Sequence, residues 1–154
     1  MAKEIERKFL VKGDSWRELA KGSGYSQGYI ATQKTATVRV RIVENQGYLT
    51  IKGPSINYSR SEFEYAIPIA DAQEMLETLC DRPIIEKTRY KVEYGGVVWE
   101  IDEFAGVNQG LIIAEVELSD ENQQIELPSW IGEEVSHDSR YFNSNLVKHP
   151  FSQW

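Results

Sequence analysis

Glu4-Ile5-Glu6-Arg7-Lys8-Phe9-Leu10-Val11 sets charges at positions 4, 6 and 8 and apolar side chains at positions 5 and 9. Alternate residues of an extended strand share a face, so this stretch reads as a strand with one charged and one greasy side. The same pattern returns in Arg39-x-Arg41, Glu62-x-Glu64, Lys87-x-Arg89-x-Lys91, Glu100-x-Asp102 and Glu115-x-Glu117. The alternate positions are mostly apolar: Val38, Val40, Ile42, Phe63, Tyr65, Tyr90, Val92, Trp99, Ile101, Val116 and Leu118. A sheet built from such strands gathers acids and bases on one side, and the chain is expected to be β-dominated α+β.

Working outward, strands are predicted over about residues 3–12, 25–34, 36–44, 47–53, 59–68, 84–94, 97–104 and 111–119. Asn45-Gln46-Gly47 and Gly95-Gly96 lie between alternating runs as hairpin turns do, which makes sequential neighbours antiparallel. Helical signals are few. Asp14 is placed to cap a short helix carrying Trp16 and Leu19, ending at Gly22. Asp71 and Glu74 have capping-box spacing ahead of an apolar stripe of Ala72, Met75, Leu76 and Leu79, which stops at Arg82-Pro83. A last helix is expected to open near Asp138 and end before Pro150. The economical reading of all 154 residues is one domain, large enough to bury a core.

The formal net charge of −7 supplies no bulk attraction for nucleic acid, and none is expected as a partner. Cys80 is the single cysteine; it has no disulfide partner within the chain and reads as a small buried residue in a reducing compartment. The N-terminal sequence lacks the apolar run of a signal peptide, and no segment approaches membrane-spanning length. A soluble cytoplasmic protein without a membrane partner, monomer or homodimer, is the expectation. There is no GxxxxGK[ST] phosphate loop, and His137 and His149 lie outside the charged strands, where surface or helix-end roles suffice.

Antiparallel sheets routinely solvate one polar face, but such faces gain a few tenths of a kcal/mol by setting opposite charges together. Here like charges are neighbours along each strand, about 6–7 Å apart given the strand rise. Acidic doublets of this kind suit a hard divalent cation, which needs only one or two protein carboxylates beside phosphate and water oxygens. Basic doublets suit a dense anion such as phosphate, which arginine binds in a forked geometry. A polyphosphate chelated to metal would need both. Closing the sheet would remove its edges and turn the charged face around a wet lumen, but an open sheet has the same period, so pattern alone leaves both architectures standing.

The opening Glu4-x-Glu6-x-Lys8 resembles the ExExK signature of the CYTH superfamily, the triphosphate tunnel metalloenzymes. The resemblance continues in order through Gln27-Gly28-Tyr29, Arg39-x-Arg41, Thr50-Ile51-Lys52-Gly53, Glu62-x-Glu64, Lys87-x-Arg89, Glu100-x-Asp102, Glu115-x-Glu117 and Arg140-Tyr141-x-Asn143-x-x-Leu146. It implies a closed eight-stranded antiparallel β-barrel, a triphosphate tunnel with a few short peripheral helices, covering residues 1–154. It implies Lys8, Arg39, Arg41, Lys52, Lys87, Arg89 and Arg140 as substrate-binding residues. Glu4, Glu6, Glu115 and Glu117 are the implied metal-side acids for Mg²⁺ or Mn²⁺, and Glu4, Glu6, Glu117 and Lys87 the implied catalytic set. Glu62, Glu64, Glu100 and Asp102 are second-rank lumen acids, divided between metal contact, water positioning and orienting lysines; Lys91 has matching parity but suits the rim.

The activity so implied is metal-dependent hydrolysis of a triphosphate. Inorganic triphosphate is favoured, since the tunnel leaves little chain for recognising a base or thiamine. A class IV-type adenylyl cyclase, a thiamine or nucleoside triphosphatase and a non-catalytic polyphosphate or nucleotide binder are the alternatives. The acids argue against the pure binder, because unpaired carboxylates repel an anion.

Overall fold

The computed structural model describes residues 3–154. Nine strands run in chain order: β1 (Lys3–Val11), β2 (Gly22–Thr32), β3 (Thr37–Val43), β4 (Gln46–Lys52), β5 (Ser59–Ile67), β6 (Ile85–Tyr94), β7 (Val97–Phe104), β8 (Ile112–Glu117) and β9 (Ile131–Glu134). They are joined in the order β5-β4-β3-β2-β6-β7-β8-β1-β9, and β1 also pairs with β5. That last pairing, Lys3 opposite Ser61 through Ile5 opposite Ser59, closes eight antiparallel strands into a barrel. β9 is the ninth strand and was not expected; it pairs with the far end of β1 at Phe9 and Val11, beyond the reach of β5. Four residues without a charge-skip-charge pattern carry no strand signal of their own.

Barrel closure decides between the two architectures left open by pattern. The hairpin joining β6 to β7 turns on Gly95 and Gly96, at φ of 61° and 80°, the paired left-handed conformations of a tight hairpin turn that glycine adopts without strain.

The outward greasy faces are covered piecemeal. One cluster packs Phe9, Val92, Trp99, Ile101, Ala114 and Val116 beneath Trp16, Trp130 and Ile131, so a single turn and irregular chain cover this side. A second places Ala72 and Leu76 of α1 (Ile69–Thr78) against Val40, Ile42 and Leu49. The third lies on the inward side: Tyr141, Leu146 and Val147 pack onto Tyr29, Ile85, Phe104, Leu111 and Ile113, the strand members sharing the face of Gln27, Lys87, Asp102 and Glu115, so the C-terminal segment fills one end of the barrel interior.

Three helix expectations are corrected. Residues Ser15–Glu18 form a 3-10 turn that Asp14 does not cap; Asp14 instead accepts from Arg17. α1 starts two residues before Asp71, after Pro68 and without a side-chain cap: the Pro68 carbonyl accepts from Ala72 N–H at 3.0 Å to open the first turn, and Asp71 lies inside that turn, where its charge suits the helix dipole. The final helix is broken: a 3-10 turn over Ser139–Tyr141, capped by Asp138, precedes α2 (Asn143–Lys148). The extended backbone of Phe142 separates them. Among the described residues no helix is long and apolar enough to cross a membrane.

Candidate active site

The alternation of the strands turns their charged sides inward. Glu4, Glu6 and Lys8 from β1, Arg39 and Arg41 from β3, and Lys52 from β4 line one cavity with Glu62, Glu64, Lys87, Arg89, Lys91, Glu100, Glu115 and Glu117. Its volume is about 610 Å³, the size of a small-molecule site. The walls are overwhelmingly charged or hydroxylated, and the aromatic members are Tyr25, Tyr29, Tyr48, Tyr58, His137 and Phe142.

Strand register then decides which charges meet. Glu6 lies directly opposite Glu117, and Glu115 opposite Glu100; like charges in these positions repel. The second pair is relieved: Lys8 Nζ donates to Glu115 at 2.8 Å and Arg89 to Glu100 at 3.2 Å. Burial alone would raise the Glu115 carboxyl, but Lys8, Arg89 and Lys87 outweigh it and hold it well below the usual range. Lys8 moves the opposite way, burial being overcome by Glu115 and Glu6, which keep it protonated.

Glu6 and Glu117 have no such relief. The closest cation to Glu6 is Lys8 at 3.9 Å, and burial followed by Glu115 pushes the Glu6 carboxyl up to about 8. Glu117 is raised by burial and by Glu4, Glu100 and Glu6. Glu4 is already committed to Lys52 at 2.9 Å. This end of the lumen holds surplus negative charge.

The deeper cations have the reverse imbalance. Asp102, fully buried, accepts from Arg89 Nε at 2.7 Å and Nη2 at 2.8 Å, and lies 2.8 Å from Lys87 Nζ. Burial would raise this carboxyl, but Arg89 and Lys87 outweigh it and lower it. Because the forked Arg89 contact already matches the Asp102 charge, Lys87 is the surplus cation, and burial with Arg89 and Arg41 nearby brings it down to about 7 despite Asp102. Arg41 has no carboxylate partner among the described residues. Its Nε donates to Gln27 at 2.8 Å and its guanidinium sits 5.0 Å from the Tyr25 ring centre, with Arg89 4.9 Å from the same ring. Burial, Arg39 and Arg89 lower Arg41 to about 10. Arg39 donates to Thr50 at 3.1 Å, while its buried Nε has no partner, an orphaned donor facing a site built for anions.

The structure thus brings together every charged-strand residue singled out from sequence; Asp102, on the same inward face opposite Arg89, is covered by Lys87 and Arg89 and does not itself line the open cavity. Arg140 is the other departure. It is exposed, outside the lumen lining, and engaged with Asp138 at 2.8 Å, because the 3-10 turn aims it away from the barrel. Lys91 sits at the rim with 61% of its side chain exposed. Tyr25, Arg60 and His137 are among the lining residues that were missed. Tyr25 shares the parity of Gln27 and Tyr29, and Arg60 that of Glu62 and Glu64, so extending each alternation by one step finds both. His137 had no strand pattern to reveal it; it stacks on Tyr58, ring centres 4.9 Å apart, and lines the cavity rather than a remote surface.

The CYTH domain model matches residues 2–150. The chain belongs to the CYTH domain family. It is 55% identical over 154 residues to an inorganic triphosphatase of Acetivibrio thermocellus, covering 100% of this chain and 99% of the relative. It is 37% identical over 148 residues to an inorganic triphosphatase of Nitrosomonas europaea, covering 94% and 96%. Among solved structures, an inorganic triphosphatase superposes with a TM-score of 0.64 at 33% identity, over 93% of this chain and 96% of the other.

Proposed function

We propose that this chain hydrolyses inorganic triphosphate to pyrophosphate and phosphate with Mg²⁺ or Mn²⁺. The observation that carries the reading is the segregation of charge in one closed lumen: unrelieved acids at Glu6 and Glu117, under-matched cations at Lys87 and Arg41, and an orphaned donor on Arg39. The two relatives named as inorganic triphosphatases support it.

The donor set fits a hard divalent cation. Among the described residues no three acidic, histidine or cysteine side chains are gathered into a ready-made metal site, and Mg²⁺ does not need one, since phosphate and water oxygens complete its shell. Glu6 and Glu117 would hold it, with Glu4 and Glu115 at their sides, each partly committed to a lysine. When bound, the metal neutralises phosphate oxygens and lowers the pKa of a coordinated water. The chain's own residues do the rest. Arg39, Arg41, Lys52, Lys8 and Arg89 bind and orient the phosphate oxygens, and Lys87 places a proton-bearing cation where charge builds on the transferred group, the electrostatic share that dominates phosphoryl transfer. Asp102 keeps Arg89 and Lys87 aimed inward. Apart from scattered tyrosines, His137, Phe142 and Val43, the lining is charged or polar and does not make the mainly apolar slot that would bury a base or a thiazolium ring.

A panel of tripolyphosphate, pyrophosphate, ATP, thiamine triphosphate and long-chain polyphosphate, each with Mg²⁺ and Mn²⁺, tests this. Phosphate release fastest from tripolyphosphate is expected; cyclic AMP as main product, or binding without release, overturns it.

A further inference from the structure

Two of the lumen cations are held by a chain of neutral amides that ends on the C-terminal segment, at Asn143 in the cavity lining. Arg41 Nε donates to Gln27 Oε1 at 2.8 Å; Gln27 Nε2 donates to Asn143 Oδ1 at 3.1 Å and to the Tyr29 hydroxyl at 3.0 Å. Lys87 Nζ donates to the same Asn143 Oδ1 at 2.9 Å. Its direction is forced: Arg41 and protonated Lys87 can only donate, so Gln27 must turn its oxygen to Arg41 and its nitrogen to Asn143. Asn143 must then turn its oxygen to both donors. Gln27 is fully buried, and Asn143 is delivered by α2, anchored through buried Leu146 and Val147.

The chemistry of the partners sets these two apart. Lys8, Lys52 and Arg89 each meet a carboxylate at 2.7–2.9 Å, which steers them but also cancels charge. Arg41 is steered by an amide alone, and Lys87 by an amide together with a carboxylate already claimed by Arg89. An amide oxygen fixes direction and leaves the cation's charge to the ligand.

We propose that Asn143 is a positioning residue for triphosphate: a single side-chain oxygen from the C-terminal segment aims Lys87 directly and Arg41 through Gln27, and its neutrality preserves their charge for the phosphates. The inference rests on the triphosphatase reading, so variants are compared with a wild type whose own turnover is measured first.

Asn143→Asp keeps both hydrogen bonds and adds an anion; Asn143→Leu keeps the bulk and removes the acceptor. For the Asp variant KM for tripolyphosphate should rise about tenfold or more with kcat at saturation within about threefold. For the Leu variant kcat should fall about tenfold or more. Both should melt within a few degrees of wild type. Titration with tripolyphosphate in EDTA repeats the binding arm without turnover and separates this inference from the activity itself: weaker binding by the Asp variant supports it even if the wild type proves inactive. An Asp variant with wild-type KM and wild-type affinity overturns the proposal, as does a Leu variant whose kcat is unchanged. Should the Leu variant not fold, Asn143→Ser replaces it, and an unchanged kcat there has the same force.

Discussion

Replacing Asp102 by Asn removes one charge from the most densely paired point of the lumen. Its two oxygens take Arg89 in a fork at 2.7 and 2.8 Å and lie 2.8 Å from Lys87, with no solvent exposure. The amide leaves Arg89 and Lys87 buried against a group that cannot neutralise them, and its NH₂ faces donors. Breaking a buried pair from one side costs about 3–5 kcal/mol; at about 2–4 °C per kcal/mol for a chain of this size, Tm should fall by roughly 6–20 °C. The loss should also depend on pH. Lys87 sits near 7 with Asp102 present, and without it lies lower still. A lysine whose folded pKa is depressed costs full stability below that pKa; the cost fades as pH climbs toward the unfolded value of about 10.4, because the unfolded chain then binds the extra proton. The Asp102→Asn defect should therefore narrow as pH rises from about 5 to 7 and level off between about 7 and 9, where Lys87 is neutral in both folded proteins. Urea unfolding of both proteins across that range is the assay. A Tm change under about 2 °C, or a defect that grows with pH, would refute the claim that Asp102 compensates these two cations.

Other outcomes follow from the same charge map. Arg41→Ala should raise KM for tripolyphosphate about tenfold to a hundredfold, the worth of a charge-assisted phosphate contact, and an unchanged KM removes it from the site. Glu117→Gln should cut kcat at least about tenfold, with excess Mg²⁺ or Mn²⁺ failing to restore it; full activity at high metal would leave Glu117 without a role. Tripolyphosphate binding above pH 7, followed by calorimetry without metal in buffers of different ionisation enthalpy, should take up protons, because an anion beside Lys87 (about 7) and Glu6 (about 8) raises both. Buffer-independent heats would contradict those assignments.

Much of the site could be read from strand parity, since a period of two makes Arg39 and Arg41, or Glu115 and Glu117, share a face wherever the strand lies. Signs along each strand then distinguished metal-seeking from phosphate-seeking edges before any partner was known. Which acids are free is a matter of cross-strand register: Glu115 and Glu117 are equivalent in sequence, yet Lys8 lies opposite the first and Glu6 opposite the second.

Arg140 and Asn143 show the same limit at the C-terminus. Both belong to the recognised motif, and a continuous helix would not have distinguished them. The extended residue at Phe142 turns Arg140 out to Asp138 and carries Asn143 in to Lys87 and Gln27. Local alternation, turn chemistry and motif order, all short-range properties, determined that this chain makes charged-faced antiparallel strands of the CYTH pattern. Closure by β1 on β5, the addition of β9, the burial of Asp102 beneath Lys87 and Arg89 and the entry of Asn143 into the lumen arise from contacts between distant segments. Tertiary structure alone decided these, because only a closed barrel brings those segments within hydrogen-bonding distance.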